Sequence, residues 1–310
     1  MTFPRPSRAD VEAAAARVGA VIRRTPVLVL RPEDTGLDAT VAVKLELMQH
    51  SGSFKARGAL NSVLSLPPGV EGVCAASGGN HAAAVAWAAR RAGLAADVFV
   101  PRAATPAKID RIREYGARVH LVDGHVREAL ARCRRHAEDT QTPLLHPYDT
   151  PETVSGAGTV GLELVAQVPD ARLVVVSCGG GGLYAGVAAA IGAATPVQPV
   201  EPELCPNLAA ALAAGEPVDT EVGGIAADSL GAPRIGRIAL ATALDAGVEP
   251  VLVTESAIAD ARRFLWQQAR VLAEPGAVTG LAAVLTGAVA PGAGQIVAVV
   301  VSGGNNATLP

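Results

Sequence analysis

Residues 52–58 have the sequence GSFKARG, which places Lys55 in the first turn of a predicted helix. A free lysine has a pKa of about 10.4 and is a poor nucleophile at neutral pH. The positive end of a helix and partial burial lower that pKa and free the amine for Schiff-base chemistry. The heptapeptide alone is equally compatible with a solvated lysine near a helix cap. The segments elsewhere in the chain decide between the two interpretations.

Three glycine-rich segments follow: residues 77–81 (SGGNH), 179–182 (GGGG) and 302–305 (SGGN). The second comes directly after a predicted strand and opens a predicted helix. Glycines let backbone N–H groups approach an anion closely, and the start of a helix adds partial positive charge. The second segment therefore predicts a phosphate cradle. The first lies at a similar strand-to-helix turn and predicts a carboxylate site.

The glycine loop also has a rival interpretation. No Lys-Ser/Thr pair follows it, which excludes a Walker A loop. It does satisfy a loose G-x-G-x-x-A pattern at Gly180, Gly182 and Ala185, and Glu201 lies near the distance expected for a ribose ligand. A NAD-type dinucleotide-binding oxidoreductase is therefore an alternative. It leaves the segments at Lys55, Asn80 and Ser302 without a role.

In their order along the chain, the four segments resemble the pyridoxal-phosphate (PLP) enzymes of fold type II, the tryptophan-synthase-β type. The subgroup they are most similar to contains the serine/threonine dehydratases (threonine ammonia-lyases) and the serine racemases. The resemblance covers nearly the whole chain, and an ordered set of motifs is far more specific than one glycine run. Further segments that carry it are residues 24–28 (RTPVL), 44–46 (KLE), 146–149 (HPYD), 156–161 (GAGTVG) and 274–277 (EPGA).

The predicted fold class is α/β. Strands alternate with helices, and near-continuous Val, Leu and Ile strands favour open, mostly parallel sheets flanked by helices. We expect the helix after Lys55 to span Phe54–Leu66 with Ser53 as its cap. The resemblance implies a small inserted α/β domain of residues 72–149. Residues 1–71 plus 150–310 would form the large cofactor-binding domain, with PLP in the cleft between the two.

The resemblance also implies roles for individual residues. Lys55 would hold PLP covalently and act as the catalytic base, and Phe54 would pack beside the ring. Asn80 would hydrogen-bond the ring oxygen, and Ser302 would meet the pyridine nitrogen. The phosphate would be bound by Gly179, Gly180, Gly181 and Gly182. The substrate carboxylate would be bound by Ser77, Gly78, Gly79, Asn80 and His81.

Three positions depart from the family pattern. Racemases of this group carry a serine at the position of Gly78, where it acts as acid and base on the second face, so glycine argues against racemisation. Ser229 stands where many relatives have glycine, which alters the pocket. Some relatives hold Mg²⁺ or Ca²⁺ with Glu, a backbone carbonyl and Asp. Glu201 and Cys205 match the first two, but Asn207 replaces the Asp, and one carboxylate fewer weakens a hard-cation site.

Composition narrows the function classes. The formal net charge is −3, only 18% of the 310 residues are charged and no basic tract is long, so we expect no nucleic-acid partner. The N-terminus has no apolar signal core and no apolar run approaches the ~20 residues of a membrane span, so no membrane partner is expected. The four cysteines show no CxxC spacing and are predicted to be reduced thiols of a cytoplasmic protein. The family further implies a homodimer.

These observations predict a PLP-dependent carbon–nitrogen lyase. The reaction would be β-elimination of a small β-hydroxy amino acid, L-threonine or L-serine, to a 2-oxo acid and ammonia. Alternatives are a dehydratase of another β-hydroxy amino acid (hydroxyaspartate or a hydroxyectoine-derived acid), a serine racemase, a β-replacement synthase, and a ligand-sensing module that retains the fold. Because only five residues follow Asn305, we expect no isoleucine-sensing domain and no isoleucine feedback.

Overall fold

Strands and helices alternate along most of the chain. The computed structural model describes residues 5–305 and residue 309. The strands are β1 (Val27–Leu30), β2 (Thr40–Leu45), β3 (Gly72–Ala76), β4 (Ala95–Pro101), β5 (Arg118–Val122), β6 (Ala171–Ser177), β7 (Val197–Pro202), β8 (Val251–Val253) and β9 (Ile296–Val301). The helices are α1 (Arg8–Val18), α2 (Pro32–Thr35), α3 (Lys55–Leu64), α4 (Asn80–Ala92), α5 (Pro106–Glu114), α6 (Val126–Thr140), α7 (Pro151–Gln167), α8 (Gly182–Ile191), α9 (Asn207–Ala214), α10 (Ala227–Leu230), α11 (Arg237–Ala246), α12 (Glu255–Ala269) and α13 (Thr279–Leu285).

The strands form two separate sheets. The large sheet has six strands in the order β1-β2-β9-β6-β7-β8, and the small sheet has three in the order β3-β4-β5. Every strand pairing recorded for the described residues is parallel except that of β1 with β2. The predicted α/β class with mostly parallel sheets is therefore confirmed. The exact boundaries of a two-domain division stay a prediction.

The large sheet is buried on both faces, which explains its continuous apolar strands. Side chains of a strand alternate between the two faces. On β9, Val297 and Val299 join one apolar cluster, together with α12 and α13. Ala298 and Val300 join a second cluster with α7, α8 and α11. Parallel sheets are covered by helices on both faces in this way.

The helix α7 was not predicted, because its glycines have low helix propensity. They allow α7 to pack very closely on α8. A methyl group at Gly158 would come under 3 Å from the backbone of Gly186, and one at Gly186 would come equally close to Val154. The glycines of residues 156–161 thus set the distance between two helices. This contact fixes the position of α8, whose first turn follows the glycine loop.

The helix after Lys55 begins one residue later than predicted. Phe54 occupies the N-cap of α3 and makes no capping bond with its side chain. The hydroxyl of Ser53 is buried without a hydrogen-bond partner among the described residues, so the prediction of a Ser53 cap is wrong. Ser53 instead forms a bridge with Gly303, and Phe54 N donates to Ser302 O at 3.0 Å. This contact joins the lysine segment to the end of β9.

None of the helices among residues 5–305 is both long and apolar enough to cross a bilayer.

Candidate active site

The amine of Lys55 lies in an enclosed, largely aromatic environment. Nζ donates a hydrogen bond to Pro147 O at 2.6 Å. It lies 5.0 Å from the ring centroid of Phe54 and 5.9 Å from that of Tyr148. Burial lowers the pKa of Lys55 to about 8, because the charged form loses its hydration. Lys55 therefore has the lowered basicity that its predicted chemistry requires.

The glycine loop, residues 179–182, connects β6 to α8 at the carboxyl edge of the large sheet. Ala185 N donates to Gly181 O, so the amides that precede Ala185 lie before the first intrahelical bond of α8. They have no intrahelical acceptor and can bind an anion. The backbone of Gly181 is left-handed, with φ of 82°, which favours glycine at that position.

The same glycines are needed for packing against the protein itself. A methyl group at Gly180 would lie under 3 Å from the ring of Tyr148, and one at Gly179 would lie equally close to the backbone of Leu230. The phenol of Tyr148 donates to Arg234 O at 3.1 Å, which holds its ring over the loop. Burial raises the pKa of Tyr148 to about 12, so the phenol is no acid or base near neutral pH.

The segment at residues 77–81 connects β3 to α4 in the small sheet. Gly79 N donates to the hydroxyl of Ser77 at 3.1 Å. The first intrahelical bond of α4 is donated by Ala83 N to Gly79 O, so the amides of Asn80 and His81 have no intrahelical acceptor. A carboxylate at this helix start would meet those amides.

His81 has a structural position. Its side chain is 5% exposed, and Nε2 lies 3.0 Å from Leu145 O. Burial, with a contribution from the charge of Lys55, lowers the pKa of His81 to about 3. The imidazole is therefore neutral near neutral pH, and only the backbone of His81 faces a ligand at the helix start.

Ser302, at the end of β9, is nearly buried, with 6% of its surface exposed. Within the described part of the chain its hydroxyl has no protein hydrogen-bond partner, whereas its carbonyl accepts from Phe54 N. An unsatisfied hydroxyl beside the lysine segment can bind one polar atom of a ligand.

Ser229 is a second hydroxyl without a partner. Its Oγ is buried and has no hydrogen bond within the described residues. It occupies the space that Gly276 leaves open, because a methyl group there would overlap Oγ. Its neighbours reach both loops: Asp228 O faces Gly79, and Leu230 packs beneath the glycine loop. Ser229 thus lies between the two glycine-rich segments.

The atoms named for a cation site have protein partners already. The carboxylate of Glu201 accepts hydrogen bonds from Leu208 N at 2.6 Å and Ala209 N at 3.0 Å, at the start of α9. The carbonyl of Cys205 accepts from Asn207 N at 3.0 Å. Residues 5–305 contain no group of three or more His, Cys, Asp or Glu side chains suited to a metal ion. A cation at Glu201 and Cys205 therefore stays a prediction that this geometry does not favour.

Glu201 is also the residue on which the dinucleotide alternative depends. Its side chain is fully buried, and burial raises its pKa to about 7 despite three backbone donors. Its oxygens cap α9 and do not face a ligand. The structure therefore offers no acidic ribose ligand at this position.

Several residues at the site were not assigned a role from the sequence. Pro147 and Tyr148 approach Lys55 and the glycine loop, and Glu274 and Asn305 both bind the side chain of Asn80. The signal that could have found them is the set of motifs at residues 146–149, 274–277 and 302–305, which were recognised without individual roles.

Comparison with known proteins shows the family. The profile of pyridoxal-phosphate-dependent enzymes matches residues 18–303. The chain belongs to this family. It is 37% identical over 301 residues to an L-threonine ammonia-lyase of Thermotoga maritima, covering 96% of this chain and 75% of that protein. It is 35% identical over 286 residues to a serine racemase of Oryza sativa subsp. indica, covering 89% of this chain and 83% of that protein.

Solved structures give the same two activities. Maize serine racemase superposes with a TM-score of 0.91 at 32% identity and covers 98% of this chain and 94% of its own. A T.th. threonine deaminase superposes with a TM-score of 0.90 at 36% identity and covers 98% and 100% of the two chains. PLP is therefore the cofactor of this family member. The two relatives are similar to this chain to nearly the same degree, so the comparison leaves lyase and racemase unresolved.

The residues of the site fit PLP. The glycine loop offers free amides for a phosphate, Lys55 offers a buried amine of lowered pKa, and Ser302 offers an unsatisfied hydroxyl. Each of these groups matches one polar part of the cofactor: its phosphate, its aldehyde and its ring nitrogen.

We expect Gly180→Ala to weaken PLP binding by roughly tenfold or more, since the methyl group would displace Tyr148 or the loop amides. Absorbance titration of the cofactor-free protein with PLP measures this. Gly223→Ala is a suitable control, because a methyl group there would lie 3.8 Å from Leu204 Cβ without overlap. Wild-type affinity in Gly180→Ala would show that the loop does not bind the phosphate.

Proposed function

We propose that this protein is a PLP-dependent ammonia-lyase that acts on a small β-hydroxy amino acid, L-threonine or L-serine. The products would be a 2-oxo acid and ammonia. The observation that carries the proposal is a single buried base, Lys55, beside a carboxylate-binding helix start that offers no second acid or base at Gly78. Elimination requires one group that removes the Cα proton, and racemisation requires two on opposite faces.

Lys55 is suited to take the Cα proton. General bases work best when their pKa lies near the working pH, and burial lowers the pKa of Lys55 to about 8. Pro147 O orients Nζ, and the rings of Phe54 and Tyr148 keep water from the amine. When bound, PLP supplies an electron-withdrawing ring that stabilises negative charge at Cα.

The remaining residues bind and orient. The amides at the start of α4 would hold the substrate carboxylate, and the amides of residues 179–182 would hold the phosphate of PLP. Asn80 is assigned to the ring oxygen and Ser302 to the ring nitrogen. A hydroxyl at that nitrogen need not protonate the ring, which favours elimination over reactions that require a longer-lived carbanion.

Serine racemase is the second candidate, because racemases are among the most similar relatives. Gly78 argues against it. A side chain at Gly78 would point toward Ala104 Cβ at 3.2 Å and Pro101 Cδ at 3.6 Å, and glycine supplies none. Hydroxyaspartate and hydroxyectoine-derived acids remain alternative lyase substrates. The homodimer and the cytoplasmic location inferred from the resemblance also stay predictions.

The direct test is release of 2-oxo acid by the PLP-loaded protein. We expect 2-oxobutanoate from L-threonine and pyruvate from L-serine, each measured with a coupled dehydrogenase that oxidises NADH. A protein that binds PLP but releases neither acid from either substrate would contradict the proposed substrate class.

Incubation with L-serine should yield pyruvate without accumulation of D-serine, because no side chain at Gly78 can deliver a proton to the second face. Chiral chromatography of the remaining serine measures this outcome. D-Serine formed at a rate comparable to that of pyruvate would favour the racemase candidate instead.

A further inference from the structure

The side chain of Asn80 is held from both sides. Nδ2 donates to Oε1 of Glu274 at 2.6 Å, and Oδ1 accepts from Nδ2 of Asn305 at 2.6 Å. Because one partner accepts and the other donates, they fix the direction in which the amide faces. An amide nitrogen carries two hydrogens, so Nδ2 of Asn80 retains one for a ligand.

This chain of hydrogen bonds connects the two sheets. Oδ1 of Asn305 accepts from Arg111 at 2.6 Å. Arg111 and Asn80 belong to α5 and α4, which flank the small sheet, whereas Glu274 and Asn305 adjoin the large sheet. The sequence Arg111–Asn305–Asn80–Glu274 therefore crosses from one sheet to the other three times. It orients Asn80 relative to β9 and the lysine segment.

Glycines make room for the acceptors. A methyl group at Gly303 would overlap Oε1 of Glu274, and one at Gly52 would overlap Oδ1 of Asn305. Glu274 is only 4% exposed, and its carboxylate also accepts from the backbone N of Asn305. A nearly buried carboxylate with two donors, placed in space that glycines leave open, is a defined feature of the site.

We propose that Glu274 is a positioning residue that acts on the reaction through Asn80, holding its amide toward the cofactor. The inference rests on the proposed function, in which Asn80 binds the ring oxygen of PLP. It assigns to Glu274 no contact with the reacting atoms.

The charge on Glu274 gives this role a dependence on pH. Burial is the largest influence and, with the nearby charge of Asp228, raises the pKa of Glu274 to about 7. The hydrogen bond from Asn80, the amide of Asn305 and the charge of Lys108 act in the opposite direction. Above pH 7 the carboxylate is ionised, so its hydrogen bond from Asn80 is charge-assisted and stronger than that to a neutral carboxyl.

Glu274→Gln tests this role, because glutamine keeps an oxygen acceptor of the same shape and cannot ionise. At pH 8 we expect PLP affinity to fall about five- to tenfold relative to wild type, from loss of the charge-assisted bond. At pH 6 the wild-type carboxyl is mostly neutral, so the two proteins should bind PLP equally. The measurement is absorbance titration of the cofactor-free full chain with PLP at both values of pH.

Thermal unfolding of the same cofactor-free chains separates positioning from a structural role. A buried carboxyl with a raised pKa favours its neutral form, so its contribution to stability decreases as the pH rises through 7. Glu274→Gln should therefore melt at a higher temperature than wild type at pH 8 and at the same temperature at pH 5. Higher stability together with weaker PLP binding is the expected result. A purely structural Glu274 would give lower stability and weaker binding together.

Two further variants locate the effect. Asp228→Asn removes a charge that raises the pKa of Glu274, so PLP affinity should begin to fall at a lower pH than in wild type. Asp219→Asn is the matched control, since Asp219 joins Arg127 and Arg234 in a separate contact and should leave the profile unchanged.

Wild-type affinity of Glu274→Gln at pH 8, or equal weakening at pH 6 and 8, would overturn the inference. If the wild-type protein binds PLP but releases no 2-oxo acid, the proposed function fails. The affinity test of Glu274 still decides the inference in that case.

Discussion

Lys55→Ala should lower the release of 2-oxobutanoate from L-threonine by roughly 10³-fold or more, since the variant lacks the proposed base and the covalent anchor of PLP. The amine is buried between two aromatic rings and bonded to Pro147 O, and burial lowers its pKa to about 8. Steady-state turnover of the PLP-loaded variant measures the effect. Activity near that of wild type would rule out Lys55 as the catalytic amine.

The small number of lysines allows a second measurement on the wild-type protein. The chain contains three: Lys44, Lys55 and Lys108. Lys44 is fully buried in an ion pair with Glu163, and Lys108 pairs with Asp228, so neither amine is free. Borohydride reduction of the PLP-loaded protein, followed by peptide mapping, should therefore place the cofactor on Lys55. A label on Lys44 or Lys108 would contradict the assignment.

Arg57→Met should destabilise the protein by about 3–5 kcal/mol, because it leaves a buried carboxylate without its partner. Both Arg57 and Glu46 have fully buried side chains, and Nε and a terminal nitrogen of Arg57 bind the two oxygens of Glu46 at 2.8 Å each. Arg57 also donates to Glu163 at 2.7 Å. Denaturant unfolding measures the change in the free energy of unfolding.

The double variant Arg57→Met/Glu46→Met is the control for this prediction. It removes one positive and one negative charge, and the pair of Lys44 with Glu163 remains. Replacing both members of a buried pair by apolar residues is often nearly neutral. The double variant should therefore be more stable than Arg57→Met alone. Equal loss of stability in both variants would show that packing, and not the unpaired charge, causes it.

Local patterns in the sequence were sufficient for much of the fold and for the main site residues. Continuous apolar strands predict buried parallel sheets, and a strand followed by glycines and a helix predicts an anion site, because each depends on neighbours along the chain. The helix α7 and the cap of α3 were missed for a different reason. The close packing of Gly158 on Gly186 and the bridge of Ser53 with Gly303 override local propensity, and neither partner is near in sequence.

The sequence by itself determined the α/β class, the family resemblance and the segments that carry the chemistry: Lys55, residues 77–81, residues 179–182 and Ser302. Tertiary structure alone decided which groups act on them. Asn80 and Glu274 are 194 residues apart along the chain, and Lys55 and Pro147 are 92 apart. Such pairs form only when the sheets pack together and exclude water, and the same packing lowers the pKa of Lys55 and raises that of Glu274.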